Sequence, residues 1–264
     1  MTIAGSDPGG GAGLQADLKT FAAHRVYGFS VITAVIAQNS ARVARVAPVA
    51  ASMVAKQIAT LAAERIPDAL KIGALANAEI VRVVAQSIRD FKLPAPVVDP
   101  VLISTGGARL LDEDGERALR SLLLPLARLI TPNISEAEAL TGLAIDGPLA
   151  MRAAARALRK LGARAVVIKG GHPFARDDDA IASPAVDLLF DGRRFTEFTA
   201  RRVAGGGAHG TGCAFSAAIA ARLARGDDLE AAVRGAKAFV TRALRNGFVL
   251  GEHGRPLLDH FAGR

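Results

Sequence analysis

Short apolar runs alternate with longer stretches of helical periodicity along almost the whole chain, and this alternation limits the fold more than any other feature. The runs ending at Ala4, then Phe29–Ala37, Ala69–Ile72, Pro96–Val98, Arg128–Ile130 and Ala165–Ile168 read as strands. Between them, helices are expected over Gly13–His24, Ala50–Glu64, Ala78–Phe91, Asp114–Leu124, Ser135–Leu140 and Leu149–Leu161. Two more helices close the chain, over Gly212–Ala224 and Leu229–Gly247. Strand–helix alternation implies βαβ units and a mostly parallel sheet covered on both faces. Val186–Phe190 and Arg193–Thr199 flank Asp191-Gly192, a dipeptide that accepts positive φ, and so predict an antiparallel edge hairpin. The expected architecture is a three-layer αβα sandwich in one domain spanning 1–264. In such sheets ligands bind beyond the carboxyl ends of the strands, so the loops that follow strands are where chemistry is sought.

Half of the 264 residues are hydrophobic, enough for a large core. No apolar run approaches the length of a membrane span, and no charged segment followed by an apolar run marks a signal peptide, so a cytoplasmic protein is expected. Cys213 is the single cysteine, which rules out an internal disulfide. The net charge is +8. Its arginines, such as Arg152, Arg156, Arg159 and Arg164, are scattered along helices and are not interleaved with aromatic residues, so nucleic-acid binding is not expected. His24, His172, His209, His253 and His260 show no metal-ligand spacing.

Two glycine-rich loops follow strands. The first, Gly5-Ser6-Asp7-Pro8-Gly9-Gly10-Gly11-Ala12-Gly13, lacks the Lys-Ser or Lys-Thr of a Walker loop. Gly11 to Ala16 fits a relaxed dinucleotide fingerprint, but after Asp17 the next acidic residue is Glu64, so the ribose-binding carboxylate is missing. The second, 204–213, ends in His209-Gly210-Thr211-Gly212-Cys213 and feeds an apolar helix. The first N–H groups of a helix lack intrahelical partners, and the helix dipole adds about half a positive charge there. Together they make an anion hole suited to a phosphoryl group in transfer. At that position the Cys213 thiol is expected to have a lowered pKa and to act as a base or orient a hydroxyl; the alternative is a small thiol filling a gap. His209 reads as a loop-packing or hydrogen-bonding residue.

Asp99 ends a strand, fixed there by Pro100, and its carboxylate could hold Mg²⁺. In Thr131-Pro132-Asn133-Ile134-Ser135-Glu136-Ala137-Glu138, Ser135 and Glu138 have capping-box spacing, which leaves Glu136 over for other work. Lys169-Gly170-Gly171-His172 suits contact with nucleotide phosphates, or is a surface lysine before a turn. Carboxylates, a lysine and an anion hole along one sheet edge are the equipment of phosphoryl transfer.

These motifs, in this order, resemble the bacterial hydroxymethylpyrimidine/phosphomethylpyrimidine kinases of thiamine biosynthesis, within the ribokinase-like superfamily. The resemblance is carried by Thr2–Pro8, Gly10–Thr20, Thr33–Asn39, Lys71-Ile72-Gly73, Val98–Val101, Thr131-Pro132-Asn133 with Glu136, Lys169–His172 and His209–Cys213. It implies two successive ATP-dependent phosphorylations, of 4-amino-5-hydroxymethyl-2-methylpyrimidine and then of its monophosphate. It assigns Gln38 to the aminopyrimidine, with Gly5, Ala12, Ile36, Ala74 and Val101 lining the same pocket. Gly210, Thr211 and Gly212 with Cys213 would form the anion hole, Cys213 standing where sugar kinases of the superfamily have an aspartate and serving as the base. Asn133, Lys169 and Gly171 would face ATP, and Asp99 and Glu136 would organise Mg²⁺. A homodimer is expected. Three departures stand out. Ala74 replaces a common methionine and enlarges the pocket, which opens the way to pyridoxal as a substrate. Gly205-Gly206-Gly207-Ala208 replaces a more polar segment and is expected to be mobile. The first strand is shorter than usual, as a late start or a trimmed chain would give. A non-catalytic pyrimidine-binding regulator is the remaining alternative, against which the retained Lys169, Asp99, Glu136 and Cys213 argue.

Overall fold

A computed structural model describes residues 1–104, 106–171, 184–203, 208–252 and 254–262. The chain runs β1 (Thr2–Ser6), α1 (Gly13–Ala23), β2 (Ser30–Gln38), β3 (Val43–Pro48), α2 (Ala51–Glu64), β4 (Lys71–Ile72), α3 (Ala78–Asp90), β5 (Val97–Val98), α4 (Glu113–Ala118), β6 (Leu129–Ile130), α5 (Ile134–Thr141), α6 (Pro148–Lys160), β7 (Val166–Ile168), β8 (Ala185–Phe190), β9 (Phe195–Ala200), α7 (Thr211–Ala224) and α8 (Leu229–Arg245). All the described strands join one sheet in the order β3-β2-β1-β4-β5-β6-β7-β8-β9. The six strands from β2 to β7 are parallel, and β3, β8 and β9 add antiparallel pairs at the two ends.

The sheet register explains both cores. Val31, Ile3, Ile72, Val98, Ile130 and Val166 are successive cross-strand partners. This β-branched row is fully buried against α2, α3, α5 and α6. Side chains alternate across a strand, so Val97, Leu129 and Val167 face the other way and pack with α7, α8 and Phe21 of α1. Burying each such side chain contributes roughly 1.5–3 kcal/mol. The result is the expected αβα sandwich. Two polar residues interrupt the second face: Thr2 and Lys71 pair in register, Lys71 also with Val97, and both are fully buried.

Two elements differ from expectation. Strand β3 has no counterpart among the predicted strands. It pairs with β2 through a turn in which Asn39 Oδ1 accepts from the Ala41 and Arg42 N–H groups. Its residues lie at the sheet edge and are half-buried or exposed, so no face is selected for apolar alternation and no periodic signal arises. The helix expected over Asp114–Leu124 is instead α4, capped by the Asp112 carboxylate, followed by a π-helical turn at Leu119–Leu123 and a 3₁₀ turn at Leu124–Leu126. Pro125 lacks the N–H needed to continue α geometry. The predicted hairpin forms between β8 and β9, with Gly192 at φ +97° and Asp191 Oδ1 accepting from the Arg193 and Arg194 N–H groups. The chain runs from β1 out to β2 and β3 on one side and then returns to β4 on the other side of β1. The carboxyl ends of β1 and β4 therefore border the switch-point crevice of the sheet.

Candidate active site

The first glycine loop is organised by Asp7. Its Oδ1 accepts from the Gly9 N–H at 2.9 Å and its Oδ2 from the Ala12 N–H at 2.8 Å. The His209 Nε2 lies 2.9 Å from the same Oδ2. Burial opposes ionisation of Asp7, but the His209 and Ala12 hydrogen bonds prevail and hold the carboxyl below its ordinary range. His209 is thus a buried hydrogen-bonding residue, as the sequence suggests. Asp7 ties the first glycine loop to the loop that leads into α7.

The two glycine loops touch through their backbones. A Cβ at Gly210 would lie 1.8 Å from the Gly11 carbonyl oxygen, and Gly210 has φ +82°. Both facts require glycine there. The first intrahelical bond of α7 runs from the Ala214 N–H to the Gly210 carbonyl. The N–H groups of Thr211, Gly212 and Cys213 therefore belong to the open start of the helix, while the Thr211 hydroxyl donates back to the Ala208 carbonyl at 2.8 Å.

Asp99, Glu136 and Lys169 converge on that helix start. Lys169 Nζ donates to Asp99 Oδ1 at 2.8 Å and lies 3.9 Å from Glu136 Oε2. A Cβ at Gly212 would lie 3.1 Å from Lys169 Nζ and 3.5 Å from Asp99 Oδ2. Thr131 Oγ1 donates to Asp99 Oδ1, and Ser216 Oγ reaches Asp99 Oδ2 at 3.5 Å. Lys169 is therefore no surface lysine; burial works to discharge it, but Asp99 and Glu136 outweigh burial and raise its pKa. Burial pushes Glu136 up to about 7 against the pull of Lys169. Gly170 donates its N–H to Asp187 Oδ1, whose other oxygen takes a hydrogen bond from Lys237 Nζ at 2.8 Å. Gly171 is exposed, with open space where a side chain would stand. His172 and residues 204–207 lie outside the described residues, and with them the expectation of a mobile glycine segment.

Two readings of the residues are corrected. The capping box of α5 is not Ser135 with Glu138. Asn133 Oδ1 accepts from the Glu136 N–H and Glu136 Oε2 accepts from the Asn133 N–H, both at 2.8 Å. Glu136 is therefore used in the cap, because the cap lies two residues earlier than the Ser135–Glu138 spacing suggests. The Cys213 thiol is not lowered: burial pushes it up to about 11, outweighing Lys71 and the Gly13 N–H, while Asp17 and Asp99 push the same way as burial.

The residues expected to line the pyrimidine pocket lie at the same end of the sheet. A Cβ at Gly5 would sit 3.0 Å from Ile36 Cδ1. Ile36 and Val101 pack in one small apolar cluster with Ala34 and Leu110. Ala12 caps α1, Gln38 ends β2, and the Ala74 carbonyl accepts from Thr33 Oγ1 of β2 at 2.6 Å. The sequence by itself marks neither Asp7 nor Asp187 as a functional residue. Asp7 stands inside a motif already marked, whereas Asp187 lies mid-strand and carries no local signal.

A phosphomethylpyrimidine kinase family model matches residues 7–258. This chain belongs to the phosphomethylpyrimidine kinase family. It is 46% identical over 262 residues to the hydroxymethylpyrimidine/phosphomethylpyrimidine kinase of Haemophilus influenzae, covering 99% of this chain and 96% of that one. It is 45% identical over 255 residues to a thiamine biosynthesis bifunctional protein of Geobacter sulfurreducens, covering 96% of this chain but only 51% of that longer protein. The fold matches an ADP complex of Bacillus subtilis pyridoxal kinase with a TM-score of 0.87 and 36% identity, over 99% of this chain and 96% of that one. Membership in this kinase family implies ATP as the phosphoryl donor. Among the described residues no helix is long and apolar enough to cross a membrane.

Among the described residues no group of three or more His, Cys, Asp or Glu side chains could hold a metal ion. A metal at Asp99 and Glu136 would draw its remaining ligands from phosphates and water, which is how Mg²⁺ is usually bound. Two buried carboxylates, Asp99 and Glu136, beside the open start of α7 fit such an ion.

Proposed function

We propose that this chain transfers the γ-phosphoryl group of ATP to the hydroxymethyl group of 4-amino-5-hydroxymethyl-2-methylpyrimidine, and then phosphorylates the monophosphate to the diphosphate, in thiamine biosynthesis. The observation that carries this reading is the backbone contact between Gly11 and Gly210. It sets the Gln38 side of the site against the open N-terminus of α7. Gln38 carries both donor and acceptor, as an aminopyrimidine edge requires, and Gly5, Ala12, Ile36, Ala74 and Val101 enclose the ring. The N–H groups of Thr211, Gly212 and Cys213 receive the charge that develops on the phosphoryl oxygens. Cys213 takes the proton of the substrate hydroxyl as its oxygen bonds to the γ-phosphorus and ADP departs with the bridging oxygen. Lys169, Asn133 and Gly171 face the nucleotide. Asp99 and Glu136 would hold Mg²⁺, which supplies charge neutralisation on the phosphates.

Ala74 favours a second substrate, since a small side chain leaves room for the bulkier ring of pyridoxal. A coupled ADP-release assay with the pyrimidine alcohol, its monophosphate and pyridoxal separates the readings. Turnover is expected on both pyrimidines and slower turnover on pyridoxal. Preference for pyridoxal would reverse the assignment, and no turnover on any of the three would leave only a binding role. The same reading takes 1–264 as one catalytic domain acting in the cytoplasm as a homodimer, for which light scattering on the eluting protein should give twice the chain mass.

A further inference from the structure

The fully buried pair Lys71–Asp17 has no part in the chemistry described so far. Lys71 Nζ lies 2.8 Å from Asp17 Oδ2, and neither side chain is exposed at all. Thr2 Oγ1 donates to the same oxygen at 2.6 Å, while Asp17 Oδ1 is buried with no hydrogen-bond partner among the described residues. Taking two charges out of water costs several kcal/mol per ion, and apolar replacements of such pairs are often as stable. Stability therefore does not account for a lysine in a sheet face that continues into Val97, Leu129 and Val167.

The surroundings of the pair point toward Cys213. Lys71 lies on β4 and Asp17 on α1, and α7 packs against both elements. A Cβ at Gly73 would meet Lys71 Nζ at 2.7 Å, so the ammonium is extended along the strand toward the carboxyl end of the sheet. Cys213 occupies the first turn of α7 at that end. Four charged groups act on Cys213 or on Lys71 there: Lys71 from β4, Asp17 from α1, Asp99 after β5 and Lys169 after β7, and the Gly13 N–H faces the sulfur. Of these, Lys71 favours the thiolate most, and the two carboxylates oppose it.

We propose that Lys71, held in place by Asp17, is a positioning residue for phosphoryl transfer: its buried ammonium is the fixed countercharge for Cys213 whenever that sulfur is negative. The inference rests on Cys213 as the base. Lys71 acts through Cys213 and keeps its own proton throughout. Asp17 sets how much of the ammonium's charge remains for the sulfur.

Because Cys213 is the single cysteine, its alkylation by iodoacetamide reports on this thiol alone. The rate is to be followed against pH in wild type, Lys71→Met, Asp17→Asn and the double variant. Lys71→Met should move the midpoint upward, slowing alkylation near pH 8 by about tenfold or more. Asp17→Asn should move it downward, since the ammonium is then left to the sulfur. A merely structural pair would shift both single variants in the same direction or leave the midpoint where it is, and either result overturns the proposal. Should Lys71→Met not fold, the double variant removes both charges together and its midpoint should still lie above wild type; an unmoved midpoint there sinks the idea. In turnover, Lys71→Met should lower kcat with little change in KM for the pyrimidine, and shift the rising limb of the pH profile by the same amount as the alkylation midpoint. Near wild-type turnover in Cys213→Ala would refute the base assignment instead, and the alkylation series would still decide whether Lys71 acts on the sulfur.

Discussion

At Cys213 two effects compete. Lys71 and the Gly13 N–H favour a thiolate, while burial and the carboxylates of Asp17 and Asp99 disfavour it, and the second set wins. The base form is then a minor population at neutral pH, and kcat/KM should keep rising on the alkaline side of neutrality. Cys213→Ala should abolish turnover with the fold intact by circular dichroism. Cys213→Asp should keep measurable activity and move the rising limb of the pH profile well below that of wild type, because a carboxylate ionises more readily. Glu136 offers a second residue-scale test. It holds its proton up to about 7 in the folded protein against an ordinary value of 4.5, so protons favour the folded state. The stability it contributes is complete below about pH 4.5 and is lost as pH rises through 7. In metal-free protein Glu136→Gln should remove that loss and be more stable than wild type at pH 8, by at most about 3 kcal/mol in urea unfolding. Equal stability at pH 8 would show that Glu136 is not burdened by its burial.

Among the elements, α7 shows how much depends on its start. Gly210 is its N-cap, in left-handed geometry against the Gly11 carbonyl. Gly210→Ala cannot be absorbed by a flexible side chain, because the atom it meets is backbone. The variant should fold, since both cores are untouched, but lose kcat by about 10²–10³-fold as the N–H groups leave their positions; wild-type kcat would place the anion hole elsewhere. Sequence periodicity located the helices that bury an apolar stripe, such as α3 and α6, to within a residue or two. It missed β3, whose edge position buries no face, and it misplaced the α5 cap by two residues because Ser135 and Asn133 both suit capping. The hydrogen bonds of Asn133 and Glu136 decide between them.

On the scale of the molecule, the sheet is the scaffold that brings distant segments together. Leu129 faces α7 and α8 and is fully buried. Leu129→Ala should cost about 2–5 kcal/mol in urea unfolding while leaving KM for ATP unchanged; a shift in KM without loss of stability would mean that the strand positions the site directly. The sequence alone determined the βα alternation, the two glycine loops and the ordered motifs from Gly5 to Cys213, because periodicity, residue type and chain order are local properties. It could mark Lys71 and Asp17 only as members of motifs. That they form a buried pair 54 positions apart in the chain follows from β1 lying beside β4, with α1 across both. The charge of Cys213, first read from its helix start as a favoured thiolate, was likewise decided by the tertiary structure. A thiol's proton affinity depends on every charge and every lost water around it, and those neighbours come from β4, α1 and the end of β5 rather than from the residues next to it in sequence.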